Sequence, residues 1–308
     1  MIDVFLKTLP FFALIGLGWL AARLRLFPAE AAAWLTKFVF YFALSAMLFR
    51  LAARLPLDQL WDPRFALAYL LGSSAVWVVG VASALSSRQS LPEAAMEAHA
   101  CMIGNTGFLG VPMLVVLLGP EAAAPILIVL IVDMIVFSTL ITLIVTGARQ
   151  GRVNAGIALP LLRGLLANPM IVSMVAGLFW SWAALPLPGP ADEFLVLLGA
   201  AATPGALFAI GASLVGRRAE RLSRAIWLST AKLVLHPLSV GIAALLLGVE
   251  SFAAGVMIAA AALPVAGNVY ILAQHFDLAV QRISSAILIS TAASIATIPV
   301  VIHLITRG

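Results

Sequence analysis

Ten long apolar segments dominate this sequence and restrict what the chain can fold into. A helix that crosses the hydrocarbon core of a bilayer needs about 20 mostly apolar residues. Runs of about that length, bounded by charged residues, Pro or Gly, cover 4–22, 31–49, 65–85, 94–118, 122–146, 166–184, 194–215, 225–247, 252–276 and 283–306. Of the 308 residues, 63% are hydrophobic and 10% are charged, so the apolar segments take up most of the chain. Little of the chain is left to form a soluble catalytic domain. We therefore predict an all-α integral membrane protein with ten transmembrane helices.

The charged residues indicate how these segments are oriented. The connections on one predicted face are rich in arginine: Arg23, Arg25, Arg88, Arg149, Arg152, Arg163, Arg217, Arg218, Arg221, Arg224 and Arg282. The opposite connections mix basic with acidic residues: Lys7, Arg50, Arg54, Arg64 and Arg307 with Asp3, Asp58, Asp62, Glu121, Asp192, Glu193 and Glu250. Positive charge favours the cytoplasmic side, so we expect the arginine-rich face there and both termini outside.

This distribution also explains the formal net charge of +5 without a nucleic-acid partner, because the arginines lie between apolar segments. We expect a multi-pass protein of the plasma membrane, which in a bacterium is the inner membrane, with the lipid bilayer as its surroundings. The one cysteine, Cys101, excludes an internal disulfide and any cysteine-based metal cluster.

An internal repeat appears when the chain is compared with itself. At an offset of 159 residues the matches are Pro10 with Pro169, Gly18 with Gly177, Leu26 with Leu185, Leu48-Phe49 with Leu207-Phe208, and Leu55 with Leu214. Further on, with four more residues in the second half, Gly104-Asn105 aligns with Gly267-Asn268. Each half holds five predicted spans, so the second half must enter the membrane from the opposite side. We predict two inverted five-helix repeats, residues 1–150 and 151–308.

Helix-breaking residues interrupt the fourth and ninth spans at corresponding positions. The fourth span contains Gly104-Asn105-Thr106-Gly107 and then Pro112, and the ninth contains Pro264 followed by Gly267-Asn268. Backbone freed from a helix is tolerated at membrane depth only against protein or a water-filled cavity, and paired interruptions point to a binding site. The alternative is that small residues here serve only close helix packing. We predict substrate binding by the following residues, with Pro112 and Pro264 as helix breakers: Gly104, Asn105, Thr106, Gly107, Gly267 and Asn268.

Three ionisable residues stand out among those inside predicted spans, where a charge costs several kcal/mol and is rarely kept without a role. Asp133 is near the middle of the fifth span, and Lys232 and His236 share one face of the eighth because they are four residues apart. We predict that they couple charge or protons to function, with Lys232 also contacting substrate. The alternatives are snorkelling for Lys232, a structural hydrogen bond for Asp133 and simple packing for His236.

Other ionisable residues are given no role. Lys37, Glu93, Glu97 and His99 lie near the predicted cytoplasmic ends of their spans, where side chains reach the headgroups at little cost.

Several of these segments resemble the auxin efflux carrier family, which covers bacterial carboxylate carriers and plant auxin exporters. The resemblance runs along nearly the whole chain and rests on 16–20 followed by 23–28, on 104–112 and on 263–274. It implies a dimer of ten-helix subunits in which helices 4 and 9 are broken and cross. It also implies that helices 1, 2, 6 and 7 form a scaffold and helices 3–5 and 8–10 a transport domain. Ser45 departs from the family, which often has Pro there, whereas Pro204 keeps it in the repeat, and the middle loop is short.

The leading hypothesis is secondary active or facilitated transport of a small organic anion, such as a dicarboxylate or an auxin-like acid, by alternating access. The anion would bind at the crossing of helices 4 and 9, where half-helix N-termini carry partial positive charge. The alternative is a cation/proton antiporter or a sodium-coupled organic acid symporter, so proton or sodium coupling stays open. A third reading is a non-transporting sensor or an intramembrane enzyme, but neither an Asp pair nor a Ser-His pair is evident at matched depth, and no metalloprotease motif appears. We expect no enzyme activity, no cofactor and no metal, and the missing Walker motif argues against ATP-driven transport.

The charge asymmetry makes a topological prediction. Single cysteines replacing Arg152 and Arg218 should react with a membrane-impermeant thiol reagent only from the cytoplasm, and a cysteine replacing Asp192 only from outside. Reaction of positions 192 and 218 from the same side would remove the odd number of spans per half, and the inverted repeat with it.

Overall fold

The computed structural model describes residues 2–55, 62–150, 158–215 and 221–306. Every regular element in these ranges is helical, apart from one isolated backbone bridge between two residues. Of the residues used to predict orientation, Asp58, Arg152, Arg217, Arg218 and Arg307 lie outside the described residues.

The helices follow the predicted spans closely. In chain order they are α1 (Ile2–Arg23), α2 (Ala29–Ala53), α3 (Pro63–Ser86), α4a (Leu91–Met102), α4b (Thr106–Leu118), α5 (Pro120–Ala148), α6 (Pro169–Trp182), α7 (Gly189–Ser213), α8 (Leu222–Leu247), α9a (Ser251–Ala261), α9b (Gly267–Phe276) and α10 (Val280–Ile305). A short helix, Ala158–Leu166, precedes α6. Within the described residues, seven helices are long and apolar enough to cross a membrane, and α4b, α6 and α9a are shorter apolar helices. The prediction of an all-α, multi-pass membrane protein is confirmed.

Local sequence signals set where several of these helices begin. Asp62, Asn168 and Glu250 each precede the first residue of a helix, and each side chain accepts a hydrogen bond from the backbone N–H two residues on. These bonds satisfy N–H groups that have no partner inside the helix. Proline follows both Asp62 and Asn168, at the first helical position, where its missing N–H costs nothing.

Glycines let two pairs of helices pack backbone to backbone. A Cβ atom added to Gly18 in α1 would collide with the carbonyl oxygen of Phe208 in α7. A Cβ atom added to Gly177 in α6 would lie 2.5 Å from the carbonyl oxygen of Phe49 in α2. No side chain larger than hydrogen fits at either contact. The close α1–α7 and α2–α6 contacts therefore depend on these two glycines.

The remaining helices pack around α3 and α8. A Cβ atom on Gly72 of α3 would lie 2.6 Å from the Cα atom of Val240 in α8. A Cβ atom on Gly80 would lie 2.8 Å from the Cα atom of Ala98 in α4a. The broken helices are thus held against α3, in contact with a core of buried Ala, Val, Leu and Met side chains.

The glycine contacts predict a specific loss of stability. Gly18→Ala should destabilise the purified protein by about 1 to 3 kcal/mol, because the added methyl group must displace the α7 backbone. Gly16→Ala is the matched control in the same helix, since a Cβ atom there meets nothing within 4 Å. Thermal unfolding in detergent should show a lower melting temperature for the first variant only. Equal melting temperatures would mean that α1 and α7 are not packed this closely.

Candidate functional site

The two interrupted spans meet at their interruptions. Helix α4a ends at Met102 before α4b begins, and α9a ends at Ala261 before α9b begins. The Asn105 N–H donates to the Pro264 carbonyl at 2.9 Å, and the Ala266 N–H donates to the Ile103 carbonyl at 3.1 Å. These bonds flank an antiparallel bridge between residues 104 and 265. We call this contact the crossing; in it, backbone groups released by each helix satisfy those released by the other.

The crossing presents the start of a helix from each half of the chain. Asn105 precedes α4b, and Asn268 is the second residue of α9b. The first N–H groups of a helix lack partners within it and carry partial positive charge, which favours an anion nearby. Asn105 is 8% exposed, whereas Gly267 and Asn268 are exposed. The structure thus brings both predicted asparagines to one region, with α9b the more accessible half-helix.

The neighbouring predicted residues are packed into this region. Thr106 is buried, and its hydroxyl lies 3.5 Å from the Gly104 carbonyl. Gly107 is buried against α6, where an added Cβ atom would lie 2.6 Å from the Cε atom of Met170. Thr106 and Gly107 therefore shape the crossing from the side that faces α6.

Lys232 lies directly behind the crossing. Its side chain is fully buried, and a Cβ atom on Gly104 would lie 3.2 Å from both its Cε and its Nζ atoms. The amine donates to the Ala261 carbonyl at the C-terminal end of α9a and lies 3.1 Å from Nδ1 of His236. A helix C-terminus carries partial negative charge, so it is a suitable partner for an ammonium group. This position excludes snorkelling, because the amine is directed into the protein.

Asp133 contacts a tyrosine that the sequence analysis did not single out. The Tyr69 hydroxyl of α3 donates to Oδ1 of Asp133 at 2.8 Å, and both side chains are buried. One turn along α3, the Ser73 hydroxyl lies 2.9 Å from Nε2 of His236. The Tyr69 and His236 rings are 5.9 Å apart between centroids. Tyr69 and Ser73 are polar residues four apart on an otherwise apolar helix, and this spacing was the sequence signal that could have identified them as site residues.

Asp133 and Lys232 form no ion pair among the described residues. Oδ1 of Asp133 is bound by Tyr69, while its buried Oδ2 has no hydrogen-bond partner in the described ranges. Tyr69 and Ser73 share one face of α3, and their hydroxyls contact Asp133 and His236 respectively. The partners of the two side chains are therefore Tyr69 for Asp133, and the Ala261 carbonyl and His236 for Lys232.

Three of these positions lie in π-helical turns. Asp133 lies in the turn at Val132–Phe137, Lys232 in Ala231–Leu235, and Thr106 in Thr106–Gly110. Such turns insert one extra residue into the helical ladder and often occur at functional sites. An extra residue changes the register of the helix beyond each turn, although Lys232 still contacts His236 as their spacing predicted.

A second polar cluster lies at the end of the molecule where α8 and α10 begin. Glu97 is fully buried, 2.5 Å from Nη2 of Arg224 and 2.5 Å from Nε of Arg282. Arg282 also contacts Glu93 at 2.8 Å. The expectation that Glu97 and His99 snorkel is wrong, because both are buried within the helix packing. Glu97 instead fixes α4a to α8 and α10, and removing one member would leave a buried charge without its partner.

The opposite end holds a mostly apolar cavity of about 300 Å³ between α2, α4b and α7. Arg50 lines it and binds Asp192 of α7 at 2.7 Å, and Arg54 binds the same carboxylate at 2.6 Å. Neither asparagine of the crossing lines this cavity. The ion pairs therefore connect α2 to α7 and are separate from the crossing.

Two broken helices in this all-α membrane protein hydrogen-bond to each other at their interruptions. This is the architecture of a solute transporter rather than of an enzyme. Comparison with known proteins supports this class. A family model described as membrane transport protein matches residues 3–302. The chain is also 33% identical over 305 residues to a protein of Rhizobium meliloti (strain 1021) named "Putative malonate transporter", covering 98% of this chain and 95% of that protein. The chain belongs to the auxin efflux carrier family of membrane transport proteins.

Proposed function

We propose that this transporter carries a small dicarboxylate of the malonate type by alternating access, with the anion bound at the crossing. The observation that carries the proposal is the convergence of two half-helix N-termini, each with an asparagine, on one bonded interruption. Free N–H groups and amide side chains bind carboxylate oxygens, and Lys232 adds positive charge behind Gly104. The name of the relative from Rhizobium meliloti supports the dicarboxylate class.

The inverted repeat, a common basis of alternating access, is supported by matched contacts. Gly18 packs on the Phe208 backbone and Gly177 on the Phe49 backbone. Gly18 aligns with Gly177, and Phe49 with Phe208, at the same offset of 159 residues. A two-fold axis in the membrane plane would generate the second contact from the first. We accordingly propose repeats 1–150 and 151–308 with this relation.

The division into scaffold and transport domain is supported by which helices pack together. Helix α1 packs on α7 and α2 on α6, while α3 packs on α4a and α8, and α8 on α10. The Glu97 ion pairs hold α4a, α8 and α10 as one unit. We propose that α3–α5 with α8–α10 move against α1, α2, α6 and α7. A cytoplasmic arginine-rich end, external termini and a homodimer stay predictions.

Coupling to a cation is favoured by one further observation. Oδ2 of the buried Asp133 has no partner in the described residues, and an unpaired buried carboxylate is costly. A proton or a sodium ion at this oxygen would remove that cost. We therefore retain proton- or sodium-coupled organic acid transport as the second candidate, distinguished by counterflow of malonate with and without a sodium or pH gradient.

The first prediction from this proposal concerns the asparagines. Asn105→Ala and Asn268→Ala should each weaken malonate binding roughly ten- to a hundredfold, because a bound carboxylate that loses a buried partner costs about 1 to 3 kcal/mol. Binding is measured by isothermal titration with the purified protein, and Gln89→Ala, between α3 and α4a, serves as the control. Wild-type affinity in both asparagine variants would place the site elsewhere.

The second prediction concerns the buried charges. Lys232→Gln should abolish malonate binding, whereas Asp133→Asn should largely spare it, if the ammonium supplies the positive charge of the site. If the two residues act instead as a proton switch, both variants should remove the pH dependence of malonate flux in proteoliposomes. Lys37→Gln, at an exposed lysine of α2, controls for the loss of a positive charge. Unchanged affinity and pH dependence in Lys232→Gln would leave the anion to the helix N-termini and asparagines alone.

A further inference from the structure

The two halves of the crossing differ in how exposed they are. On α9b, the exposed residues Asn268, Ile271 and Gln274 share one face, and Ile271 is 64% exposed. Their counterparts at the offset of 163 residues that aligns Asn105 with Asn268 are Asn105, Phe108 and Val111 of the other half. Asn105 and Val111 are buried and Phe108 is half-buried. One half-helix is therefore open along a face that the other keeps covered.

Helix packing explains this difference. Helix α4b packs against α1 and α7, and the Phe108 ring stacks on Phe40 of α2 at 6.2 Å between centroids. Helix α9b packs mainly on α10 and α4a, within the proposed transport domain. In the described residues, α9b therefore packs less extensively against the proposed scaffold than α4b does.

The chemistry of the open face indicates what covers it. Gln274 lies about 10 Å along the axis from the start of α9b, so the face extends from the crossing toward the end of the molecule. Its amide nitrogen donates to the Tyr270 hydroxyl at 3.0 Å. A second amide, Asn268, lies on the same face, and amide groups exposed to hydrocarbon cost several kcal/mol. Water, and not lipid, is the fitting neighbour of this face.

The open face leads to the end where Glu97 binds Arg224 and Arg282. Helix α9b runs away from the crossing beside α4a, and Glu93 in the first turn of α4a contacts Arg282. Helix α4b runs to the opposite end, where Val115 and Arg50 line the same cavity.

We propose that the face of α9b formed by Asn268, Ile271 and Gln274 lines an aqueous path for a small organic anion, between the crossing and the arginine-rich end. The path is exposed in this structure, whereas on α4b the corresponding residues Asn105 and Val111 are buried and Phe108 is half-buried. The inference rests on the proposed function and names the residues that the anion passes.

Cysteine accessibility tests this path. In a Cys101→Ser background, Ile271→Cys and Gln274→Cys are compared with the repeat-related Phe108→Cys and Val111→Cys. Leu245→Cys, at an apolar position of α8 that is 84% exposed, is the lipid-facing control. The probe is a charged, membrane-impermeant methanethiosulfonate, which reacts with the thiolate and therefore requires water at the thiol.

The α9b cysteines should react at least about tenfold faster than the other three, because a thiol buried in protein or lipid is less ionised. Their reaction should occur from the arginine-rich side of oriented vesicles, and malonate should slow it. Equal rates at Gln274→Cys and Leu245→Cys would overturn the proposal by showing a lipid-covered face. Efficient cross-linking between two copies through Ile271→Cys would overturn it by showing a subunit contact.

The same variants separate this inference from the proposed function. If the α9b cysteines react from the arginine-rich side but malonate neither binds nor protects them, the substrate class is wrong and the aqueous face stands. If malonate binds to the purified protein while those cysteines stay unreactive, the crossing binds the anion and the proposed path is wrong.

Discussion

The hydrogen bonds between the two helix interruptions are the constraint on which the other features of the site depend. In hydrocarbon, every backbone N–H and C=O group needs a partner, and each unsatisfied group costs several kcal/mol. A single broken helix could not meet that requirement alone. Two adjacent interruptions can satisfy their backbone groups, because residues 103–105 and 264–266 hydrogen-bond to each other as a short antiparallel pair. Ser290 of α10 binds the remaining Val265 N–H at 3.1 Å. The interruptions are therefore stable enough to leave helix N-termini free for a ligand.

Electrostatics at the crossing follows from the same geometry. The C-terminal end of α9a has carbonyls without helical partners, and the Lys232 ammonium binds the last of them. The ammonium lies against Gly104, where any side chain would meet it. Partial positive charge from two half-helices and the Lys232 amine behind them combine at one point, which favours an anion. The Glu97 cluster differs, since two carboxylates there offset two guanidinium groups and hold helices together.

Sequence patterns were sufficient for the features that depend on solvent and backbone chemistry. Apolar run length gave the helices, because hydrocarbon demands about 20 apolar residues for each span. Gly104-Asn105 and Pro264 with Gly267-Asn268 identified the interruptions, because glycine and proline weaken a helix. Pro112, predicted to be a helix breaker, instead lies inside α4b, at the start of its regular α-helical part. Asp133, Lys232 and His236 were identifiable because ionisable groups are rare at that depth. The family assignment agreed with these patterns.

What each polar group contacts was decided by the tertiary structure alone. Tyr69 and Ser73 bind Asp133 and His236 across helix interfaces, and nothing in the spacing of one helix states which neighbour it meets. π-helical turns at Asp133 and Lys232 add one residue to the helical ladder, so side chains beyond each turn depart from 3.6-residue periodicity, although Lys232 still contacts His236 four residues on. Glu97 was expected to snorkel because it lies near the end of its own span. In the structure it is buried, because Arg224 and Arg282 from distant segments of the chain pack over it. The sequence by itself determined the membrane class, the spans and the interruptions through local chemistry. Partners, burial and the unequal exposure of α4b and α9b depend on contacts between segments far apart in the chain, so only the folded structure fixed them.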